Sequence, residues 1–219
     1  MKPSYRRILA TTLPLLSLLP VIPGCAGDPA PQLMVQSNRM HQTFSEPFAA
    51  AYASQAAGGD TTLVAVDRAS QQTLEGNPGP APVRQVLSVR VMWNPTRDSR
   101  WDHNSASNAT VHWYVMGNTP ATAAEVIEYS GTAVVMVDHD QDVTTLTIRS
   151  AYVKPVAWRG SLHDPIGASE LHGTLRASDN AQRVRQILSD VRTVVAAANS
   201  LPNTQAKESK PEAPSTLAR

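Results

Sequence analysis

The sequence has a single cysteine, Cys25, among its 219 residues. No internal disulfide can therefore form, and the stability of the fold has to come from packing. Aromatic residues are also scarce and uneven, since there are two phenylalanines but four tryptophans. A chain of this length is sufficient for one domain with a real core and flanking tails.

Basic residues are few once the N-terminus is set aside. The formal net charge is +1, from 19 Lys and Arg residues against 18 Asp and Glu residues. Without Lys2, Arg6 and Arg7, 16 basic residues remain against the same 18 acidic ones, and the balance becomes −2. No cluster or stripe of Lys and Arg is left, although generic nucleic-acid binding needs such a footprint. We therefore predict no nucleic-acid partner.

The short motifs of several enzyme classes are missing as well. The sequence contains no Gly-x-Ser-x-Gly elbow, no His-Glu-x-x-His motif and no glycine-rich phosphate loop. Its polar residues form no pattern more specific than the solvated face of a sheet. We therefore predict a protein that is not an enzyme and that uses no cofactor.

The first 24 residues have the three zones of a secretory signal peptide: a basic start, a largely apolar run over residues 8–22, and small residues after it. A membrane-spanning helix needs about 20 consecutive apolar residues. This run is shorter, and it contains Pro14 and Pro20, which destabilise a helix. The pattern favours a signal peptide.

The end of this segment, Ile22-Pro23-Gly24-Cys25, resembles the lipobox of bacterial lipoproteins. The resemblance implies cleavage between Gly24 and Cys25 and lipidation of Cys25, so that membrane lipid becomes a partner. It also implies an exported protein at the outer membrane, facing the periplasm or the cell surface, because Ala26 rather than aspartate follows the cysteine. The alternative is an ordinary signal peptide, which would leave Cys25 as a free thiol.

Composition divides the chain into four segments. Residues 1–24 form the signal peptide, and residues 25–34 hold the lipidated cysteine and a tether. Residues 35–200 form a single domain. Residues 201–219 contain three prolines and mostly polar side chains. This tail is predicted to be disordered, because it buries too little apolar area to offset the entropy of ordering it.

Two helices are predicted near the ends of the domain. The first covers residues 46–57, with Ser45 as N-cap, Pro47 in the first turn and two glycines as the stop. A helical stretch over residues 36–44 stays an alternative before it. The second helix starts after Ser178 or Asp179, and its apolar residues recur at spacings of three and four. They are Val184, Ile187, Leu188, Val191, Val194, Val195 and Ala198.

Between these helices, apolar and polar residues alternate, which is typical of antiparallel strands. The pattern starts in a short strand over residues 63–66 and continues through residues 83–93, 109–115, 127–137, 146–152 and 171–177. We therefore predict an α+β fold. It is an antiparallel meander of about five or six strands, with the C-terminal amphipathic helix packed on its apolar face and a shorter N-terminal helix.

Three aspartates, Asp138, Asp140 and Asp142, lie at alternate positions in a link that is short enough for a hairpin. Their spacing matches the first ligand positions of a calcium loop. However, Val143 and Arg149 replace the glycine and the glutamate that such a loop requires later. A polar hairpin tip explains the same residues, and a weak cation site is the alternative.

A second polar group follows from strand alternation. If the apolar side chains face the helix, then His112, Glu128, Arg149, Glu170 and His172 share the opposite, solvated face. His112, His172 and Glu128 would there suit a metal ion or acid–base chemistry. Charged pairs across a solvated sheet face explain these residues without any function.

The tryptophans divide into two pairs. Trp93 and Trp113 share the apolar parity of their strands and are predicted to lie in the core. Trp101, His103 and Trp158 lie in or beside two long connections, and aromatic residues in loops are typical of a surface that contacts a partner or ligand. Loops that pack down over the sheet edge are the alternative explanation.

Together these expectations describe a lipid-anchored protein of the cell envelope with one non-catalytic binding or structural module. Its ligand or protein partner is not predicted. Two alternatives stay open. One is a carrier or sensor of a small apolar ligand held between sheet and helix. The other is a metal-dependent enzyme on the polar sheet face.

Overall fold

The structure, a computed structural model, describes residues 32–76, 83–94, 107–117, 125–160, 162, 164 and 166–199. The signal peptide with Gly24 and Cys25, the loop residues Trp101 and His103, and the predicted disordered tail lie outside the described residues. Within these ranges, no helix combines the length and apolar character needed to span a bilayer.

Nine strands and two helices make up the described part of the chain, which confirms the predicted α+β composition. The strands are β1 (Gln32–Ser37), β2 (Gln42–Pro47), β3 (Ala50–Gln55), β4 (Thr61–Val66), β5 (Val83–Val91), β6 (Ala109–Gly117), β7 (Val126–Asp140), β8 (Val143–Arg159) and β9 (Ser169–Asp179). The helices are α1 (Arg68–Leu74) and α2 (Ala181–Asn199). The predicted antiparallel meander is present, since β4 to β9 pair in chain order, but the sheet has nine strands rather than five or six.

The sheet closes on itself through β9. One edge of β9 pairs with β8, and the other edge pairs with β1 and, at Ser178 and Asp179, with β3. A ring therefore runs from β3 through β4, β5, β6, β7 and β8 to β9 and back to β3. The β1–β2 hairpin branches away from this ring at β9.

The ring encloses the main core. Alternating side chains such as Leu87, Val111, Tyr129 and Leu171 point inward and are fully buried. This inner face needs no helix to cover it. Helix α2 consequently packs on the outer face, which the alternation had suggested would be solvated. Its buried stripe of Val184, Ile187, Val191 and Ala198 lies against Val64, Val66, Val86, Met116 and Val126.

The predicted helix over residues 46–57 is wrong, because these residues form the end of β2 and the whole of β3. Ala51 and Ala53 face the core inside the ring, while Ala50 and Tyr52 pack beneath α2. With both faces covered, β3 shows no alternation in its sequence. The alternative helix over residues 36–44 is likewise replaced, by the turn of the β1–β2 hairpin and the strand ends that flank it.

The short helix of the fold is α1, between β4 and β5. Asp67 caps it, since one carboxylate oxygen accepts a hydrogen bond from the backbone N–H of Ser70 at 2.7 Å. The Ser70 hydroxyl donates to the backbone carbonyl of Gln85 at 3.0 Å. This contact fastens α1 to the beginning of β5.

Two aromatic residues lie on faces that the alternation did not predict. Trp113 is buried as expected, whereas Trp93 is 46% exposed because β5 ends before it, at Val91. Tyr152 is 53% exposed. A register shift in the β8–β9 pairing between Ile148 and Ala151 reverses which side chains face inward after it.

Candidate ligand-binding site

An apolar cavity of about 520 Å³ opens where the β1–β2 hairpin leaves the ring. One wall is β2, which contributes Phe44 and Glu46. A second wall is the β5–β6 pair, with Val83, Gln85, Trp113 and Val115, and a third is the loop after β8, with Leu162 and Ile166. Met40 and Gln42, at the hairpin turn, complete the lining. Small-molecule sites in proteins have this size and this mainly apolar surface.

The position of β2 explains why the space exists. Among the described strands, β2 pairs only with β1 and therefore forms an edge of the sheet. Phe44 and Glu46 alternate along it and are half-buried. They lie opposite Val83 and Gln85 of β5, and β2 and β5 are not paired as strands in the described part of the chain.

A directed chain of hydrogen bonds crosses the cavity wall. Trp113 Nε1 donates to Gln85 Oε1 at 2.9 Å, and Gln85 Nε2 donates to Glu46 Oε1 at 2.9 Å. An indole N–H is a donor only, so it fixes which end of the Gln85 amide faces Trp113. The amide must then present its N–H groups toward Glu46. The chain ends on a carboxyl acceptor in a mainly apolar space.

The surroundings of Glu46 raise the pKa of its carboxyl group. Burial raises the pKa of this carboxyl above its usual value of 4.5, and the negative charge of Asp67 raises it further. The hydrogen bond from Gln85 acts in the opposite direction. Among the lining residues that the structure describes, Glu46 is the one with a side chain that titrates as an acid.

The loop wall is held by the buried carboxylate of Asp164. Its Oδ1 accepts hydrogen bonds from the Tyr129 hydroxyl and from the backbone N–H groups of Ile166 and Gly167, at 3.1 and 2.8 Å for the last two. Arg39 Nη1 lies 3.6 Å from Asp164 Oδ2. Burial and the Asp164 contact raise the pKa of Tyr129, so this phenol stays protonated and continues to donate.

Trp158, predicted to belong to a binding surface, supports the same wall. Its Nε1 donates to the backbone carbonyl of Leu162 at 2.6 Å, and its ring packs against the core. Leu162 lines the cavity, so Trp158 contacts a lining residue and is not itself part of the described lining. This contact is of the kind expected from the alternative explanation, in which a loop packs over the sheet edge.

The structure brings His112 and Glu128 together and leaves His172 apart. His112 Nδ1 lies 2.9 Å from Glu128 Oε1, whereas His172 on β9 pairs with Glu170 at 3.2 Å and contacts the Arg149 carbonyl. Strands β7 and β8 lie between the two histidines in the sheet. Across the described ranges, no group of three or more His, Cys, Asp or Glu side chains is placed to hold a metal ion.

Tyr114 completes the His112–Glu128 pair on the outer face. Its ring stacks on His112 with centroids 6.1 Å apart. Burial raises the pKa of Tyr114 to about 12. The charge of Glu128 and the hydrogen bond to Glu128 also raise this pKa, whereas Arg192 lowers it. A phenol with this pKa keeps its proton at neutral pH. The three side chains therefore form a hydrogen-bonded and stacked group on the outer face of the sheet.

The three aspartates lie at the tip of the β7–β8 hairpin, where the hairpin was predicted. Asp138 and Asp140 are exposed at the end of β7, and Asp142 follows Gln141, whose φ of 52° makes the turn. The Asp142 carbonyl accepts a hydrogen bond from the backbone N–H of Asp179 at 2.9 Å. This is the geometry of a solvated hairpin tip.

Sequence analysis missed Glu46, Gln85 and Asp164. For Gln85 a signal existed: it is a polar residue at an inward position, between Val83 and Leu87 of a strand that otherwise places apolar side chains there. Glu46 carried no comparable signal, because the surrounding residues were interpreted as a helix. The role of Asp164 depends on contacts with distant residues.

No protein-family model, no curated protein and no solved structure matches this chain.

Proposed function

We propose that this protein is a lipid-anchored lipoprotein of the cell envelope whose domain binds a small apolar ligand, as a carrier or sensor, in the cavity between β2 and the β5–β6 pair. The cavity of about 520 Å³ is the observation that carries the proposal. Its described walls are mainly apolar, and they carry one hydrogen-bonded set of polar groups, Trp113, Gln85 and Glu46. Binding sites for small molecules combine these two features.

The interface between sheet and helix is a less suitable place for such a ligand. There Val184, Ile187 and Val191 of α2 are buried against Val64 and Val66, so protein side chains occupy the space. The cavity lies on the other side of the sheet, and α2 contributes no residue to the lining that the structure describes.

Lipidation of Cys25 would keep this cavity close to a source of apolar molecules. Six residues separate Cys25 from Gln32, where β1 begins. A fully extended chain of this length spans at most about 25 Å. The domain would thus stay near the bilayer, from which apolar ligands enter and to which they return. The proposed location is the outer membrane, facing the periplasm or the cell surface.

Dye binding by two tryptophan variants tests the cavity. Val83→Trp adds a large ring at the cavity lining, and Val156→Trp makes the same change at an exposed site on β8. The wild type is expected to bind N-phenyl-naphthylamine, an uncharged apolar dye. Val83→Trp should lose this binding, and Val156→Trp should retain it, with both variants showing the circular dichroism of the wild type. No binding by the wild type, or equal binding by the two variants, contradicts the proposal.

Mass spectrometry of the mature N-terminus tests the anchor. Wild-type protein from the membrane fraction should begin at Cys25 and carry the added mass of acyl chains. Cys25→Ala should leave the membrane fraction and lack that mass. An unacylated wild-type N-terminus would overturn the anchor while leaving the cavity proposal intact.

A further inference from the structure

The hydrogen-bond chain in the cavity has a direction that limits which ligand can join it. Trp113 donates to Gln85, and Gln85 donates to Glu46 Oε1. The other carboxylate oxygen, Glu46 Oε2, has no hydrogen-bond partner among the described residues. A group that extends the chain at Glu46 therefore has to donate a hydrogen bond. A hydroxyl group can in addition accept from the second N–H of the Gln85 amide.

The charges around Glu46 also favour a ligand whose head group donates hydrogen bonds. The described lining contains one carboxyl group and no Lys or Arg. Asp67, at the start of α1, adds a second negative charge near Glu46. Arg39 lies next to the lining residue Met40, but its guanidinium is turned to Asp164. A carboxylate head group would meet repulsion here, whereas an ammonium group would be attracted.

We infer that the cavity takes an amphiphile with an apolar body and a hydrogen-bond-donating head group, a primary amine in preference to an alcohol, and that it rejects fatty carboxylates. This inference rests on the proposed function and specifies its ligand class. The apolar walls from β2, β5 and β6 hold the body, and Glu46 selects the head.

Three probes of equal carbon number test the selection. Decylamine, decanol and decanoate each contain ten carbon atoms and carry different head groups. Isothermal titration calorimetry measures their binding to the mature protein below their micelle concentrations near neutral pH. Decylamine is expected to bind at least about tenfold more tightly than decanoate, because one hydrogen bond to a charged group is worth that much. Decanol should lie between them.

Glu46→Gln provides the matched variant. It preserves the shape of the side chain and an oxygen that accepts from Gln85, but it removes the negative charge. The preference for decylamine should then fall to within about threefold of decanol, because the charge-assisted part of the contact is gone. Glu170→Gln makes the same change on the outer face of β9 and should retain the wild-type order. Cooperative urea unfolding with the denaturant dependence of the wild type establishes that both variants are folded.

The outcomes distinguish a wrong ligand class from the absence of a ligand site. If none of the three probes binds, the proposed function fails and this inference fails with it. If decanoate binds as tightly as decylamine, the proposed function stands and the inference is overturned. An unchanged preference for decylamine in Glu46→Gln also overturns it, because the selectivity would then come from another group.

Discussion

The Arg84 guanidinium on β5 and the Asp190 carboxylate on α2 lie 2.9 Å apart on the outer face of the sheet. The next residue along the strand, Gln85, faces inward and holds the Trp113–Glu46 chain of the cavity. Adjacent residues of a strand point to opposite faces. Two neighbouring side chains at the start of β5 thus contact the outer helix and the inner cavity, respectively.

Asp190→Asn should destabilise the fold by about 1.5–3 kcal/mol, the range for a hydrogen bond to a charged group. The Arg84 side chain is only 9% exposed, and its Nε has no hydrogen-bond partner in the part of the chain that the structure describes. The substitution therefore leaves a buried positive charge without its counter-charge. Urea unfolding at neutral pH measures the change in the free energy of unfolding.

Asp60→Asn is the control for that substitution. Asp60 pairs with Arg90 at 2.8 Å, but the Arg90 side chain is 63% exposed. Exposed pairs contribute about 0–1 kcal/mol, so this variant should unfold close to the wild type. Equal destabilisation by the two variants would show that burial of Arg84 does not determine the effect.

Gln85→Leu should destabilise the fold by about 1–3 kcal/mol, because it leaves the buried Trp113 N–H without its acceptor. The change should also shift the fluorescence emission of the protein, since the Trp113 indole loses a hydrogen bond. Gln42→Leu, at an exposed position of the same cavity lining, is the matched control. A Gln85→Leu variant as stable as Gln42→Leu would contradict a structural role for the chain.

Much of the central strands could be predicted from sequence because, away from α2, they bury one face only. In β6, for example, Ala109, Val111, Trp113 and Val115 are buried as the alternation predicts. The rule failed where a register shift reverses the faces, as at Tyr152, and where a strand ends early, as before Trp93. Neither the register shift nor the end of the strand can be predicted from local sequence, because both depend on pairing with the neighbouring strand.

The N-terminal half was harder to predict because both faces of β3 are covered. Its small residues suited a helix. Pro47 and the glycines at 58 and 59 were interpreted as helix start and stop signals, but they lie next to the bend before β3 and in the turn after it. Helix α1 did carry a local signal that the prediction overlooked. Asp67 precedes Ser70 by three residues, which is the spacing of an N-cap.

Closure of the sheet explains why the cavity lies away from the interface between sheet and helix, the place considered for a ligand from the sequence. The apolar face of the meander is buried inside the ring, and α2 covers the outer face. Closure depends on the pairing of β9 with β3, two strands that lie far apart in the chain. The cavity arises where β2 leaves this ring, so a sequence pattern could not locate it.

Gly131→Ala should destabilise the fold by about 1–3 kcal/mol, the usual range for overpacking. A Cβ atom at this position would lie 1.8 Å from the backbone oxygen of Tyr152 on β8, so the two strands would have to separate. Gly58→Ala, where no atom lies within 4 Å of the added Cβ, is the control and should be nearly neutral. Equal urea midpoints for the two variants would contradict the close approach of β7 and β8.

The stability of the wild type relative to Glu46→Gln should fall as the pH rises from acidic to neutral values. Because burial and then Asp67 raise the pKa of Glu46 above 4.5, the folded state holds this proton more tightly than the unfolded chain does. The resulting stabilisation is complete below pH 4.5 and is lost as the pH rises through the raised pKa. Urea unfolding of both proteins across this range measures the difference, and Glu170→Gln is the control for removing a carboxyl elsewhere. A difference that is constant with pH, or that favours the wild type increasingly as the pH rises, would show that Glu46 is not a buried carboxyl with a raised pKa.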